Sequence, residues 1–250
     1  MSQIVSVHSF RGGAGKSNVT ANVAAALATD SRVAVVDTDI QSPGIHVLFG
    51  YRPGPDDRTL NDYLWGECAI ADAAHDVTSA IGDVAGSLHL VPSSIDSGDI
   101  SRVLRDGYDV SLLTSGFEQL MEDLSLDYLL IDTHPGVNEE TLLSIAISDC
   151  LLLMMRPDRQ DFQGTAVTVE LAQRLGVPRL IIGLNKVPPS MNAQSLREHV
   201  EETFHSDVGC VLPLNFEIAE LGSAGLFTHR LPDHPWSREI AMVVDRIRVD

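Results

Sequence analysis

Seven short apolar runs punctuate this chain: Ile4–Val7, Val33–Val36, Leu88–Val91, Tyr128–Ile131, Cys150–Met155, Arg179–Leu184 and Cys210–Leu212. They are nearly continuous rather than alternating. Such runs suit strands buried on both faces, which happens when helices cover both sides of a parallel sheet. Helical patterns lie between them. Val19, Val23 and Leu27 recur at helical spacing, as do Val167, Leu171 and Leu175 before Gly176. The alternation predicts an α/β fold: a doubly wound, mainly parallel sheet of about seven to eight strands flanked by helices.

No internal repeat or low-complexity linker divides the sequence, so residues 1–250 read as a single domain. Pro and Gly mark loops across roughly 41–58. The stretch "TLNDYLWGECAIADAAHDVT" is expected to form short helices on one edge. Cys68, Cys150 and Cys210 have no metal-ligand spacing, which predicts buried, reduced thiols in a cytoplasmic protein. The sequence opens with no signal-peptide pattern and has no apolar run long enough to span a bilayer.

One loop carries the chemistry. "RGGAGKS" follows the first apolar run and opens a helical pattern, the context a phosphate-binding loop requires. Gly12, Gly13 and Gly15 let the backbone curl, so that N–H groups from Gly12 to Asn18, Ala14 included, face an anion. The following helix adds its N-terminal dipole. Lys16 would bridge the β- and γ-phosphates, and the Ser17 hydroxyl would ligate Mg²⁺. The loop is irregular, because Phe10 stands where the usual pattern has its first Gly and Arg11 adds a second cation. Fifteen of the seventeen basic residues are Arg; the two lysines are Lys16 and Lys186. A lysine kept in such a chain points to a site that needs a compact ammonium.

Carboxylates close two of the other runs. Asp132 ends "LDYLLIDTHPG" and is a candidate Mg²⁺ carboxylate; the Gly136 amide after it could sense a γ-phosphate. Asp37 and Asp39 end "VAVVDTDIQSPG". Two residues apart on a strand, they would point the same way. One would orient the waters of the metal and the other the attacking water.

In this order and spacing, "RGGAGKS", "VVDTDIQSPG" and "LLIDTHPG" resemble the ParA/MinD family of deviant Walker-type ATPases, a SIMIBI-type branch of the P-loop NTPases. The resemblance covers essentially the whole chain. It implies a Mg²⁺-dependent ATPase, slow without a partner, that binds ATP and ADP and forms a homodimer on ATP. It also implies an unnamed protein activator or cargo adaptor, of the kind found in chromosome or plasmid partition, division-site or organelle placement.

By that resemblance Asp39 is the catalytic switch carboxylate, Asp132 the Walker B Asp and Asn18 a neighbour of the α-phosphate. Asn185, beside Lys186, reads adenine, while Pro213 and Leu214 line the other face of the base. The family's signature Lys, which reaches the partner's phosphates, is Arg11 here. Arg keeps the charge and adds a fork suited to phosphate. The alternative is a cis pairing of Arg11 with Asp39 or another switch carboxylate. His134, unusual for the family, reads as a loop residue rather than a base.

Iron–sulfur carriers of the superfamily need a C-terminal C-x-x-C that is missing here, and dethiobiotin-synthetase-like enzymes lack the second cation. The net charge of −18 disfavours DNA as a positioning surface, though Arg156, Arg159, Arg174 and Arg179 offer a place for a local patch. In the terminal "HPWSREIAMVVDRIRVD", Glu239, Asp245 and Asp250 balance three Arg. Membrane-surface helices are typically basic on their polar face. Trp236, Ile240, Val243 or Val244, and Ile247 are therefore expected to face a core rather than anchor the chain in a membrane. A nucleotide-dependent scaffold with little hydrolysis is the alternative function.

Overall fold

The computed structural model describes residues 2–249; Asp250, counted in the terminal charge balance, lies outside them. Eight strands form one sheet: β1 (Gln3–His8), β2 (Arg32–Asp37), β3 (His75–Asp76), β4 (Ser87–Val91), β5 (Tyr128–Asp132), β6 (Cys150–Met155), β7 (Arg179–Val187) and β8 (Asp207–Pro213). Their order is β3-β4-β2-β5-β1-β6-β7-β8. All pairings are parallel except the edge pair β3–β4. All seven apolar runs are strands. The eighth, β3, lies inside the edge excursion, where short helices also form at Leu60–Leu64 and Ile70–Ala73. It is two polar residues, His75 and Asp76, held to Leu90 and His89 by backbone pairing, so no apolar pattern announces it.

Among the described residues ten α-helices occur, in chain order: α1 (Lys16–Leu27), α2 (Leu60–Leu64), α3 (Ser97–Asp106), α4 (Ser111–Asp123), α5 (Glu139–Ala146), α6 (Arg159–Leu175), α7 (Ala193–Phe204), α8 (Phe216–Leu221), α9 (Phe227–Arg230) and α10 (Pro235–Arg248). Helix α1 is buried almost all round, with Val19, Ala21, Val23, Ala24 and Leu27 inaccessible to solvent. The side-chain amide of Asn22 donates to Asn18 O and its oxygen accepts from Thr228, so its burial leaves neither end unpaired.

The spacing Val167, Leu171, Leu175 does not mark the buried face of α6. Val167 and Leu175 are exposed, while Gly164, Thr165, Thr168, Val169 and Ala172 are buried. Close approach is the reason: a Cβ at Gly164 would lie 2.1 Å from a ring carbon of Phe10. Phe10, the departure from the usual loop pattern, is the side chain that docks the loop's entry onto α6.

Helix α10 is a core helix. Trp236, Ile240, Val243, Val244 and Ile247 are buried, and Arg179 donates to the carbonyls of Ile247 and Val249 at its C-terminal end. No helix among the described residues is long and apolar enough to cross a membrane. All three cysteines are free. Cys150 and Cys210 are buried, but Cys68 is half-exposed, contrary to the expected burial.

Candidate functional site

Parallel strands bring their carboxyl ends to one edge, where a doubly wound sheet places its ligands. Here Val7 of β1 and Asp37 of β2 are both in register with Asp132 of β5. The loop 9–15 leaves β1 at that edge and curls through left-handed glycines at Gly13 (φ 82°) and Gly15 (φ 87°). Gly15 is also a close approach, since a Cβ there would lie 2.2 Å from Asn185 Nδ2. It caps α1 without a side-chain acceptor. The first-turn N–H groups of α1 therefore remain for an anion.

The inner cation is locked. Lys16 Nζ donates to Asp132 Oδ1 at 2.8 Å, with only 6% of its side chain exposed. Thr20 Oγ1 lies 3.0 Å from the same oxygen. Gly12, Gly13, Gly15, Lys16, Ser17, Asn18 and Asp39 line a cavity of about 200 Å³ above this pair.

Asp37 and Asp39 do not share a direction. β2 ends at Asp37, so strand alternation stops before Asp39. Fully buried Asp37 accepts the backbone N–H groups of Asp39 (3.1 Å) and Gly44 (3.2 Å). Burial, then the neighbouring Asp132, pushes its carboxyl well above the usual range, against the pull of Lys16. Its oxygens brace the turn after β2, which argues against a metal-ligand role for it. Asp39 instead meets His134, with Nδ1 to Oδ1 at 2.7 Å. His134 is a loop residue, as expected, and its contact with Asp39 has no signal in the sequence.

The Gly136 amide donates to Ser9 O at 3.2 Å. It ties the loop after β5 to the phosphate loop rather than standing open to a phosphate. Arg11 lies at the rim, 41% exposed, 3.6 Å from Asp161 and 4.0 Å from Asp158. It pairs in cis, but with the start of α6 and not with Asp39.

At the other end, Asn185 Nδ2 donates to Ala14 O and Lys186 Nζ to Gly13 O, both at 2.8 Å. Asn185 Oδ1 accepts the Lys186 amide. Lys186 adopts φ 57°, a left-handed conformation uncommon for a residue with a side chain. Both side chains brace the phosphate loop. Asn185 is left with its second amide hydrogen and second lone pair for a base. Beside them a cavity of about 400 Å³ is lined by Pro213, Leu214, Phe216, Ile218 and Trp236, and it shares Gly15 and Asn18 with the phosphate cavity. Phe216 and Trp236 were not among the predicted site residues. Phe216 follows "PLN" directly and was within reach; Trp236 is placed by α10 from far along the chain.

Among the described residues no cluster of three or more His, Cys, Asp or Glu has metal-holding geometry. Mg²⁺ beside a nucleotide takes one or two carboxylates, substrate phosphates and waters, and Ser17 with Asp132 is a donor set of that kind. Three of the four arginines offered for a basic patch are engaged: Arg156 by Asp161 and Asp158, Arg174 by Glu170, and Arg179 by carbonyls at the end of α10, while Arg159 is exposed.

The sequence profile of the CobQ/CobB/MinD/ParA nucleotide binding domain matches residues 5–228. An uncharacterised ATP-binding protein of Methanocaldococcus jannaschii is 24% identical over 99% of this chain and 88% of its own length. The cell division ATPase MinD of Pyrococcus furiosus superposes with a TM-score of 0.80 at 22% identity, covering 99% of this chain and 98% of that one. The septum site-determining protein MinD of Pyrococcus horikoshii, solved with Mg-ADP, gives 0.79 at 20% identity over 99% and 96%.

Proposed function

The chain belongs to the CobQ/CobB/MinD/ParA nucleotide-binding family, and on that premise we propose that it is an ATP-binding and ATP-hydrolysing switch that dimerises on ATP and positions a partner or cargo. The observation that carries the reading is the buried Lys16–Asp132 pair at the floor of the glycine cradle. A cation and an acid are held ready under a ring of backbone donors, with an apolar cavity of base size alongside. When ATP enters, Lys16 exchanges Asp132 for the phosphates and the carboxylate is released.

Gly12–Asn18 cradle the phosphates, with Asn18 nearest the α-phosphate. Ser17 and Asp132 would hold Mg²⁺, which supplies charge neutralisation for the β- and γ-phosphates. Asn185 and Lys186 close one side of the base site, and Pro213 and Leu214 the other. Asp39 lines the phosphate cavity and positions the attacking water. Arg11 serves the nucleotide of the facing subunit. The chain acts as one unit from its first strand to α10. The cargo and any activating protein are read by surfaces outside this site. With −18 net charge, random duplex DNA is a poor partner.

The test is turnover and oligomeric state with ATP, ADP and no nucleotide, on the wild type and Asp39→Ala. The wild type should hydrolyse ATP with Mg²⁺ and dimerise only with ATP. Asp39→Ala should keep ATP bound, hydrolyse it slowly and remain dimeric. If Asp39→Ala loses ATP binding and turns over any residual ATP normally, the water-positioning role is wrong.

A further inference from the structure

His134 sits two residues beyond Asp132, in the loop after β5, and reaches across to the loop after β2. Its Nδ1 lies 2.7 Å from Asp39 Oδ1. An ionised carboxylate only accepts, so the imidazole must carry its proton on Nδ1 and donate it. Both partners are pinned. The His134 carbonyl accepts from Thr141 Oγ1 at 3.3 Å. The Asp39 amide donates to Asp37 Oδ1 at 3.1 Å. The two side chains are only 25% and 14% exposed, so water competes weakly for the bond.

The consequence falls on the other oxygen. Among the described residues Asp39 Oδ2 accepts no hydrogen bond, and Asp39 lines the phosphate cavity with Lys16 and Ser17. His134 is not on that cavity's wall. It is therefore placed to act on Asp39 and not on a phosphate. Without it the carboxylate would rotate about its side-chain torsions and present its free oxygen to the cavity only part of the time.

We propose that His134 is a positioning residue: by donating from Nδ1 to Asp39 it fixes the carboxylate with its free oxygen toward the phosphate loop, and so sets the hydrolysis rate without adding nucleotide affinity. The proposal rests on the ATPase reading above. It makes the loops after β2 and β5 one hydrogen-bonded unit at the point where water would be held.

Two measurements on the 250-residue chain test it. The first needs no nucleotide. At pH 8, where an ordinary imidazole is neutral, nitrogen-15 spectra of the histidine rings should show His134 as the Nδ1–H tautomer, and Asp39→Ala should abolish that preference. The second is kinetic. His134→Ala should lower kcat about 10- to 100-fold, as expected for a misplaced catalytic group, with KM little changed. His134→Asn places an amide N–H where Nδ1 stood and should restore kcat to within roughly threefold. His134→Gln carries its amide one bond further out and should not restore it.

An Nε2–H tautomer in the wild type overturns the proposal. So does an unchanged kcat in His134→Ala, or a His134→Asn as slow as His134→Ala. A wild type that shows the Nδ1–H signal but neither binds nor turns over ATP overturns the ATPase reading and the claim on rate with it, leaving the His134–Asp39 bond as an observed contact.

Discussion

Lys16 and Arg11 belong to one loop, five residues apart, and live in different worlds. The inner cation is 6% exposed and donates to Asp132 at 2.8 Å. The rim cation is 41% exposed and lies 3.6 and 4.0 Å from Asp161 and Asp158, beyond hydrogen-bond reach. Asp161 has already spent both oxygens on Arg156, at 2.9 and 3.0 Å. A buried pair costs about 3–5 kcal/mol to break by removing one partner, whereas a pair exposed at both ends, such as Arg11 with Asp158, is worth about 0–1 kcal/mol. So the floor of the loop is held firmly in place by Asp132. The rim is cheaply released, as the trans role proposed for Arg11 would require.

The largest test strikes the floor. Lys16→Ala should abolish tight ATP and ADP binding by calorimetry. Lys16→Met, which keeps the stem but leaves the Asp132 carboxylate buried without its partner, should also lower unfolding stability in denaturant by about 3 kcal/mol. Unchanged nucleotide affinity would remove Lys16 from the phosphate site and end the contrast.

Next comes the rim. Arg11→Ala should leave monomer affinity for ATP nearly unaltered while lowering dimerisation, and hydrolysis by up to about 10³-fold if it behaves like other arginines supplied in trans. Arg11→Lys should recover much of the activity. Mixing Arg11→Ala with Lys16→Ala subunits sharpens the point. A trans contact leaves one intact site in the mixed dimer and predicts recovered turnover. No recovery despite confirmed mixed dimers counts against it.

These tests lean on residues whose identity was legible in the sequence and whose pairings were not. Interior strands such as Cys150–Met155 are buried along their whole length, so apolar continuity marked them. His75–Asp76 pairs only through backbone at an edge, and nothing in its side chains says strand. On α6 the hydrophobic spacing misled, because the buried face must be small where Phe10 docks at Gly164. The glycine-rich turn 9–15 was legible because left-handed backbone demands glycine, as at Gly13 and Gly15. The contact of His134 with Asp39 spans 95 residues, and that of Lys186 with Gly13 spans 173. Such pairings depend on how separate loops meet at one sheet edge, and no local pattern encodes them.

A pH experiment probes the floor from beneath. His8 ends β1 fully buried, with Nδ1 2.8 Å from Thr133 Oγ1. That hydroxyl donates to Val7 O, so His8 must donate from Nδ1, and its Nε2 has no partner. Burial first, then Lys16 and His134, lowers its pKa from 6.5 to about 3. The unfolded chain then binds a proton below pH 6.5 that the folded chain refuses until about pH 3. Stability falls as pH drops through that window and is unaffected by His8 above it. At pH 4 the loss is about 3 kcal/mol, from 1.36 kcal/mol per unit. His8→Asn keeps a donor for Thr133 and cannot titrate, so its stability should fall less between pH 6 and pH 4. Identical acid profiles would mean that His8 reaches water in the folded state.

The smallest expected effect is the most direct measure of how loosely the rim is held. If Arg11 is only parked against α6, its coupling to Asp158 should be within about 0.5 kcal/mol, the range of exposed ion pairs. The choice of variant matters. Asp158 also caps α6, accepting from Gln160 N and Asp161 N at 3.0 Å, and Asp158→Ala would lose about 1 kcal/mol for that reason alone. Asp158→Asn keeps a capping oxygen and removes only the charge. A double-mutant cycle of Arg11→Ala with Asp158→Asn, read by denaturant unfolding, then isolates the pair. Raising salt should shrink an already small coupling, because both groups face solvent. A coupling near 2 kcal/mol would break the comparison with Lys16. Arg11 would then be a cis brace between the loop and α6, and moving it to a second subunit would cost too much for it to serve there.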